Sequence, residues 1–142
     1  MNAIRINPDN VWADNEFPFS QAVVEPVGRR VHLTGQVAWD RKGNVVGQND
    51  AQAQTEAALD NIEKILAELG GKLSDIVSMT MYYVRDEDLA KIQSERMRRF
   101  KKNTGPAVTG VKVAALVDPE LLVELTSIAV IPEERFSQRS IE

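Results

Sequence analysis

The chain has 142 residues, of which 43% are hydrophobic and 27% charged, and its formal net charge is −4. We assign residues 1–142 to a single globular domain with a polar N-terminal lead-in and a polar C-terminal tail. The absence of cysteine excludes thiol catalysis, thiolate metal sites and disulfides, and it fits a cytoplasmic protein. The negative charge disfavours nucleic acid as a partner. The sequence contains no run of 18 apolar residues, so we predict no membrane span.

The N-terminal part of the chain has the pattern of short strands. Residues 1–18 are polar and contain two prolines, which predicts an extended lead-in. A short strand is predicted at 22–24. Apolar and polar residues then alternate over 31–37, which predicts a sheet strand with one buried face. Residues 45–46 suggest a short return strand after a turn.

Two helices are predicted further along. The first covers 50–69, with Asn49 as its cap and Gly70-Gly71 as its end. Its apolar face consists of Ala58, Ile62, Ile65, Leu66 and Leu69. The second runs from Asp86 to about Phe100, where Gln93 and Arg96 share the apolar face. Polar groups on a packing face need partners. We therefore expect these two side chains to reach either solvent or a subunit boundary.

Three further strands are predicted at 76–84, 108–116 and 121–131, so the order of elements predicts an α+β fold. Two helices can cover only one face of the resulting sheet. The count of elements therefore predicts that the other face is buried in a homo-oligomer.

The chain lacks most of the groups that enzymes use. His32 is the only histidine and lies in a predicted strand, which favours a structural or solvent-facing role. No glycine-rich phosphate loop and no carboxylate cluster with metal-ligand spacing occurs, so we expect neither a cofactor nor a metal. The remaining candidate is Glu124, in the last apolar strand. It either points harmlessly outward or is held in a pocket, where it could pass protons to and from a water molecule.

Several segments together resemble the Rid (YjgF/YER057c/UK114) family. Thr34-Gly35-Gln36 stands where members commonly have Ser-Gly-Gln, and residues 54–77 are similar to the family's first helix and next strand. Residues 106–111 stand where the family signature reads Pro-Ala-Arg-Ser-x-Val, and they lead on to Val123-Glu124-Leu125. The resemblance covers a core of about 15–132.

The resemblance implies a chorismate-mutase-like fold, in which a mixed sheet carries two helices on one face, and a homotrimer with small-molecule clefts between subunits. It also implies hydrolysis of reactive imines and enamines, such as 2-aminoacrylate, without a cofactor. In such members the signature arginine binds the substrate carboxylate, and a glutamate, here Glu124, helps to activate water. The other implied substrate-binding positions are Phe19, Thr34, Gly35, Gln93, Val108 and Gly110.

This sequence departs from the family pattern at two of these positions. Val108 replaces the arginine and cannot bind a carboxylate, and Phe19 lacks the hydroxyl of the tyrosine that members often carry. Arg96 could supply a replacement charge, although a surface or intersubunit salt bridge is the simpler interpretation.

Three functions therefore stay open. The first is a hydrolase or deaminase acting on an imine or enamine, though not on the standard 2-imino acids. The second is a non-catalytic ligand-binding or regulatory trimer. The third, RNA cleavage, is the least favoured because of the acidic charge and the single histidine.

Overall fold

The structure, a computed structural model, describes residues 2–12, 19–101 and 104–138. Its strands and α-helices form an α+β fold, as predicted. In chain order they are β1 (Ile4–Ile6), β2 (Ala22–Val24), β3 (Arg29–His32), α1 (Ala51–Ala67), β4 (Ile76–Tyr83), α2 (Leu89–Arg99), β5 (Ala107–Lys112) and β6 (Val123–Ile131).

The strands form two sheets. β1 and β2 pair antiparallel, so part of the lead-in predicted to be merely extended forms a strand. The larger sheet has the order β3-β6-β4-β5. β4 and β5 run parallel and the other neighbours antiparallel, which confirms a mixed sheet. A parallel pair needs a crossover connection, and α2 supplies it between β4 and β5.

The ends of α1 differ slightly from prediction. Asp50, rather than Asn49, is the cap, because its carboxylate accepts a hydrogen bond of 3.0 Å from the Ala53 N–H. Asn49 instead has a φ of 59°, a left-handed conformation that asparagine tolerates. The helix stops before Gly70, whose φ is 79°. The predicted stop signal is therefore confirmed.

A short 3₁₀ turn at Asp86–Asp88 precedes α2, so the helix begins at Leu89, three residues later than predicted. Asp88 is buried, and its carboxylate accepts hydrogen bonds of 2.7 and 2.8 Å from Arg85. This ion pair fixes the start of α2 against the end of β4.

The hydrophobic core lies between the two helices and one face of the larger sheet. Of the predicted α1 face, Ala58, Ile62 and Leu66 are buried, whereas Ile65 is 38% exposed. The sheet contributes side chains that alternate along β4 and β6, and α2 contributes one residue to the same cluster. They are Met79, Met81, Val123, Leu125, Ala129, Ile131 and Ile92.

The opposite face of the larger sheet carries no helix. We call it the open face, and it consists of the alternate residues of β4 and β6, namely Ser78, Thr80, Tyr82, Glu124, Thr126 and Ile128. Most are polar, and all are only partly buried. The expectation that two helices cover one face of a sheet is confirmed.

Three predicted strands are too long. The strand expected over 31–37 ends at His32, because the chain then bends before Gln36 bridges back to Leu125. Val45 makes only an isolated bridge to Trp39. β5 ends at Lys112, and β6 begins at Val123. Among the described helices, none has the length and apolar character needed to cross a bilayer.

Candidate functional site

Glu124 lies on the open face, near the start of β6 and opposite Tyr82 of β4. It is partly buried, and within the described ranges no side chain or backbone group donates a hydrogen bond to its carboxylate. A carboxylate without an internal partner keeps its oxygen lone pairs available for water. This is the arrangement that a general base needs.

The backbone of Gly35 packs directly against this carboxylate. A Cβ atom built on Gly35 would overlap Glu124 Oε2 and would lie 3.2 Å from Thr126 Oγ1. A side chain at position 35 would therefore require the Glu124 carboxylate to shift. The loop acts as a wall on one side of the Glu124 carboxylate.

Backbone hydrogen bonds to β6 hold the loop of residues 33–36, which contains Gly35, in this position. The Leu33 N–H donates to the Ser127 carbonyl at 3.1 Å, and Gln36 exchanges backbone hydrogen bonds of 2.8 and 3.0 Å with Leu125. The Gln36 side chain also donates to the Thr34 carbonyl at 3.2 Å. Thr34 is exposed at the bend.

Val108 and Gly110 lie on the other face of the sheet. In the parallel register they pair with Met79 and Met81, two core residues, and Val108 packs against the same core cluster. A Cβ atom on Gly110 would lie 3.3 Å from Met81 Cε. Because neighbouring strands alternate in step, these two positions point away from the Glu124 carboxylate.

Phe19 stands near the free edge of β5. Its ring centroid is 5.7 Å from that of Trp12, and the next residue, Ser20, forms a bridge to Ala107 at the start of β5. Along β5, Ala107 lies four residues from the position that is level with Glu124, a distance of roughly 13 Å. Phe19 therefore lies closer along the sheet to Val108 than to Glu124.

Gln93 and Arg96 lie one turn apart on α2. Gln93 is half-buried, whereas Arg96 is only 2% exposed. Arg96 Nη1 is 4.0 Å from Met81 Sδ, and its Nε and Nη2 atoms have no hydrogen-bond partner. Burial without an anion lowers the pKa of Arg96 to about 10.

The predicted site residues thus fall into two groups within one chain. Gly35 and Glu124 come together on the open face, and Thr34 precedes Gly35 in the same loop, whereas Gln93, Val108 and Gly110 lie on the helix-covered side. Sequence reasoning missed Tyr82 and Thr126, which flank Glu124 on the open face. Their strand register would have identified them, but register is visible only once the strands are paired.

His32 is exposed and pairs with Ile128. It borders a shallow cavity of about 330 Å³ that also contacts Glu25 and Arg30, which form an ion pair with each other. In the part of the chain that the structure describes, no group of histidine and carboxylate side chains is arranged to hold a metal ion.

Comparison with known proteins identifies this architecture. The family model described as Endoribonuclease L-PSP matches residues 13–131. A RutC family protein of Pyrococcus abyssi is 32% identical over 112 residues, which is 79% of this chain and 85% of that protein.

Solved structures agree with the sequence comparison. The crystal structure of YyfB from Yersinia pestis, a member of the conserved Rid family, is 34% identical with a TM-score of 0.83, and the match covers 92% of this chain and 100% of that one. RidA of a Psychrobacter species is 29% identical with a TM-score of 0.67, over 84% of this chain and 97% of that one. The fold is thus the α+β fold of these proteins. The chain belongs to the Rid (YjgF/YER057c/UK114) family.

Proposed function

We propose that this protein hydrolyses a small imine or enamine to a carbonyl compound and ammonia, with Glu124 as the base that activates water. The observation that carries the proposal is the Glu124 carboxylate, which lies against the Gly35 backbone and has no hydrogen-bond partner among the residues that the structure describes. Family membership supports the same chemistry through the resemblance noted in the sequence.

The reaction requires few groups. An enamine first takes a proton from solvent on carbon and becomes an iminium ion, the protonated form of an imine and a strong electrophile. Glu124 removes a proton from water as the water oxygen bonds to the iminium carbon, which gives a neutral carbinolamine. Glu124 returns that proton to the nitrogen, and cleavage of the C–N bond releases ammonia. The protonated carbonyl group that remains loses its proton to solvent, which replaces the proton taken up first. Atoms and charges balance without a cofactor.

The complete site forms between subunits of a homotrimer. Support comes from the division of the predicted residues between the two faces of the sheet, which one chain cannot bring together. A neighbouring copy that covers the open face would place its own β5 edge and α2 beside Glu124. The cleft between two copies then contains both groups of residues.

Val108 makes standard 2-imino acids poor substrates. A bidentate, charge-assisted contact to a carboxylate is worth about 1.5–3 kcal/mol, and valine cannot make it. With 2-aminoacrylate generated in situ, we expect turnover at least about tenfold slower than for a relative that carries the signature arginine. A rate equal to that of such a relative would contradict the role given to position 108.

The test of Glu124 is its replacement by glutamine, which keeps the shape and removes the base. Ammonia and carbonyl product are followed over a panel of imines made by amine oxidation. Glu124→Gln should lower turnover at least about a hundredfold. Glu68→Gln, an equal change of charge at the exposed residue that follows α1, should leave it unaltered. Full activity in Glu124→Gln would refute the proposal.

A non-catalytic ligand-binding trimer is the alternative, and the loss of both the arginine and the tyrosine hydroxyl favours it. The two functions differ in a simple way. A binding protein would show saturable binding of small carbonyl compounds but no ammonia release from any imine of the panel. RNA cleavage, the activity in the name of the matching family, is disfavoured by the net charge of −4.

A further inference from the structure

Among the residues that the structure describes, no carboxylate pairs with the buried cation of Arg96. The chain buries three carboxylates among the described residues, and each already has a cationic partner: Asp75 with Arg135, Asp88 with Arg85, and Glu95 with Arg98. Arg96 has only the weak contact of Nη1 with Met81 Sδ at 4.0 Å. Its Nε and Nη2 atoms, two neighbouring donors of the planar guanidinium, bind nothing.

Such an arrangement needs a physical reason. A buried charge without a partner is unfavourable, and buried polar groups in native proteins are nearly always paired. Neutral residues of similar length, such as methionine, would fill the same space without this cost. The unpaired Nε and Nη2 atoms form the fork that binds the two oxygens of a carboxylate side by side.

The neighbourhood of Arg96 offers a route for such an anion. Met81, which contacts Arg96, pairs across β4 and β5 with Gly110 on the exposed edge strand. No side chain stands at Gly110, and a Cβ atom built there would lie 3.3 Å from Met81 Cε, so the flexible Met81 thioether lies between this edge and Arg96. Gln93, one turn earlier on α2, adds an amide that can donate a further hydrogen bond.

The geometry points to Arg96 as the group that binds the carboxylate of an anionic ligand at the β5 edge beside Gly110. The inference rests on the proposed function in one respect, because it makes the substrate a carboxylate-bearing imine or enamine. Position 110 lies two residues beyond position 108, which is roughly 7 Å along the strand. The carboxylate therefore sits in a different place from one bound by an arginine at 108.

Binding can be tested without turnover. 2-Oxobutyrate, a stable keto acid, is titrated into the full-length protein by calorimetry, with 2-butanone as the neutral probe of similar shape. We expect 2-oxobutyrate to bind and Arg96→Met to weaken that binding at least about tenfold. Arg41→Met, which removes an exposed arginine of a surface turn, should bind as wild type does, and 2-butanone should not distinguish the variants.

A second variant covers the case in which Arg96→Met does not fold. Gly110→Val keeps the cation and closes the route to it, so it should also weaken binding of 2-oxobutyrate. Equal affinity in wild type and both variants would overturn the inference, as would a wild-type protein that binds no keto acid at millimolar concentration. Dissociation of the oligomer in Arg96→Met, with unchanged affinity per chain, would show an intersubunit salt bridge instead and would also overturn it.

The two proposals fail in different ways. If no imine is hydrolysed but 2-oxobutyrate binds through Arg96, the hydrolase proposal is wrong and this inference stands. If imines are hydrolysed through Glu124 and Arg96→Met leaves KM unchanged for both anionic and neutral imines, the hydrolase proposal stands and the inference about Arg96 is wrong.

Discussion

Arg96 also contributes to the free energy of unfolding of the ligand-free protein. Its pKa is lowered to about 10 in the folded chain because burial disfavours the charged form. The unfolded chain therefore holds this proton more tightly. The unfavourable contribution is fully present below about pH 10 and disappears as the pH rises toward the unfolded pKa.

We therefore expect Arg96→Met to be more stable than wild type in the absence of ligand. The pKa difference corresponds to about 3 kcal/mol as an upper value. Urea unfolding should show a gain in the free energy of unfolding that is constant between about pH 6 and pH 9, because Arg96 is protonated in both the folded and the unfolded chain over that range. Arg41→Met should show no gain. A less stable Arg96→Met protein would show that Arg96 already has a strong partner in the assembled, ligand-free state.

The sequence marked Arg96, Glu124 and Val108 as important but could not place them relative to one another. Glu124 stood out as a carboxylate within an apolar strand, and Val108 as a departure from a family motif. The missing information was the face on which each residue lies. A shift of one residue in strand pairing reverses the face. Burial of Arg96 was equally hidden, because arginine is rarely found without solvent or a counter-ion.

At the scale of elements, helix positions were easier to predict than strand ends. A helix carries its own pattern of apolar residues, caps and stops, so α1 was located to within a few residues. Strand ends depend on a partner elsewhere in the chain, and β3 stops early because residues 33–36 bend between two anchors on β6. The sequence also did not predict the structural role of the buried Gln54 side-chain amide. It donates to the Gly47 and Glu120 carbonyls and accepts from the Leu122 N–H.

The C-terminal segment is fixed to the junction of α1 and β4 by an ion pair. Arg135 donates to both oxygens of Asp75, at 2.6 and 2.9 Å, and to the Gly70 carbonyl at 3.0 Å. The Asp75 side chain is 8% exposed and Arg135 33%. Asp75 also raises the pKa of Arg135 through their hydrogen bonds.

Removal of Arg135 should therefore destabilise the protein. Arg135→Ala leaves the nearly buried Asp75 carboxylate with the Lys72 N–H as its remaining donor, and we expect a loss of about 1–3 kcal/mol in the free energy of unfolding. Asp75→Asn, combined with Arg135→Ala in a double-mutant cycle, should recover part of that loss. Additive effects of the two changes would show that the pair contributes nothing.

For the whole molecule, the number of predicted helices led to the prediction that one face of the sheet is uncovered. Two helices were too few to cover both faces of a sheet, and the structure confirms that one face carries no helix. That face is rich in threonine and other partly polar side chains rather than purely apolar ones, a composition that a single chain can expose to water. The sequence could therefore predict an uncovered face, but it holds no information about what would pack on that face.

The trimer proposal makes a direct prediction about this face. Thr80 lies at its centre, on β4 between β5 and β6. Thr80→Arg adds a charge that a single chain can project into water but that a covered sheet would bury without a partner. Wild type should sediment as three chains of 15.8 kDa, and Thr80→Arg as one. Gln52→Arg, with the same added charge on the exposed side of α1, should remain a trimer. Monomeric wild type, or a trimeric Thr80→Arg, would mean that the open face is not the assembly surface, and the intersubunit site would lose its basis.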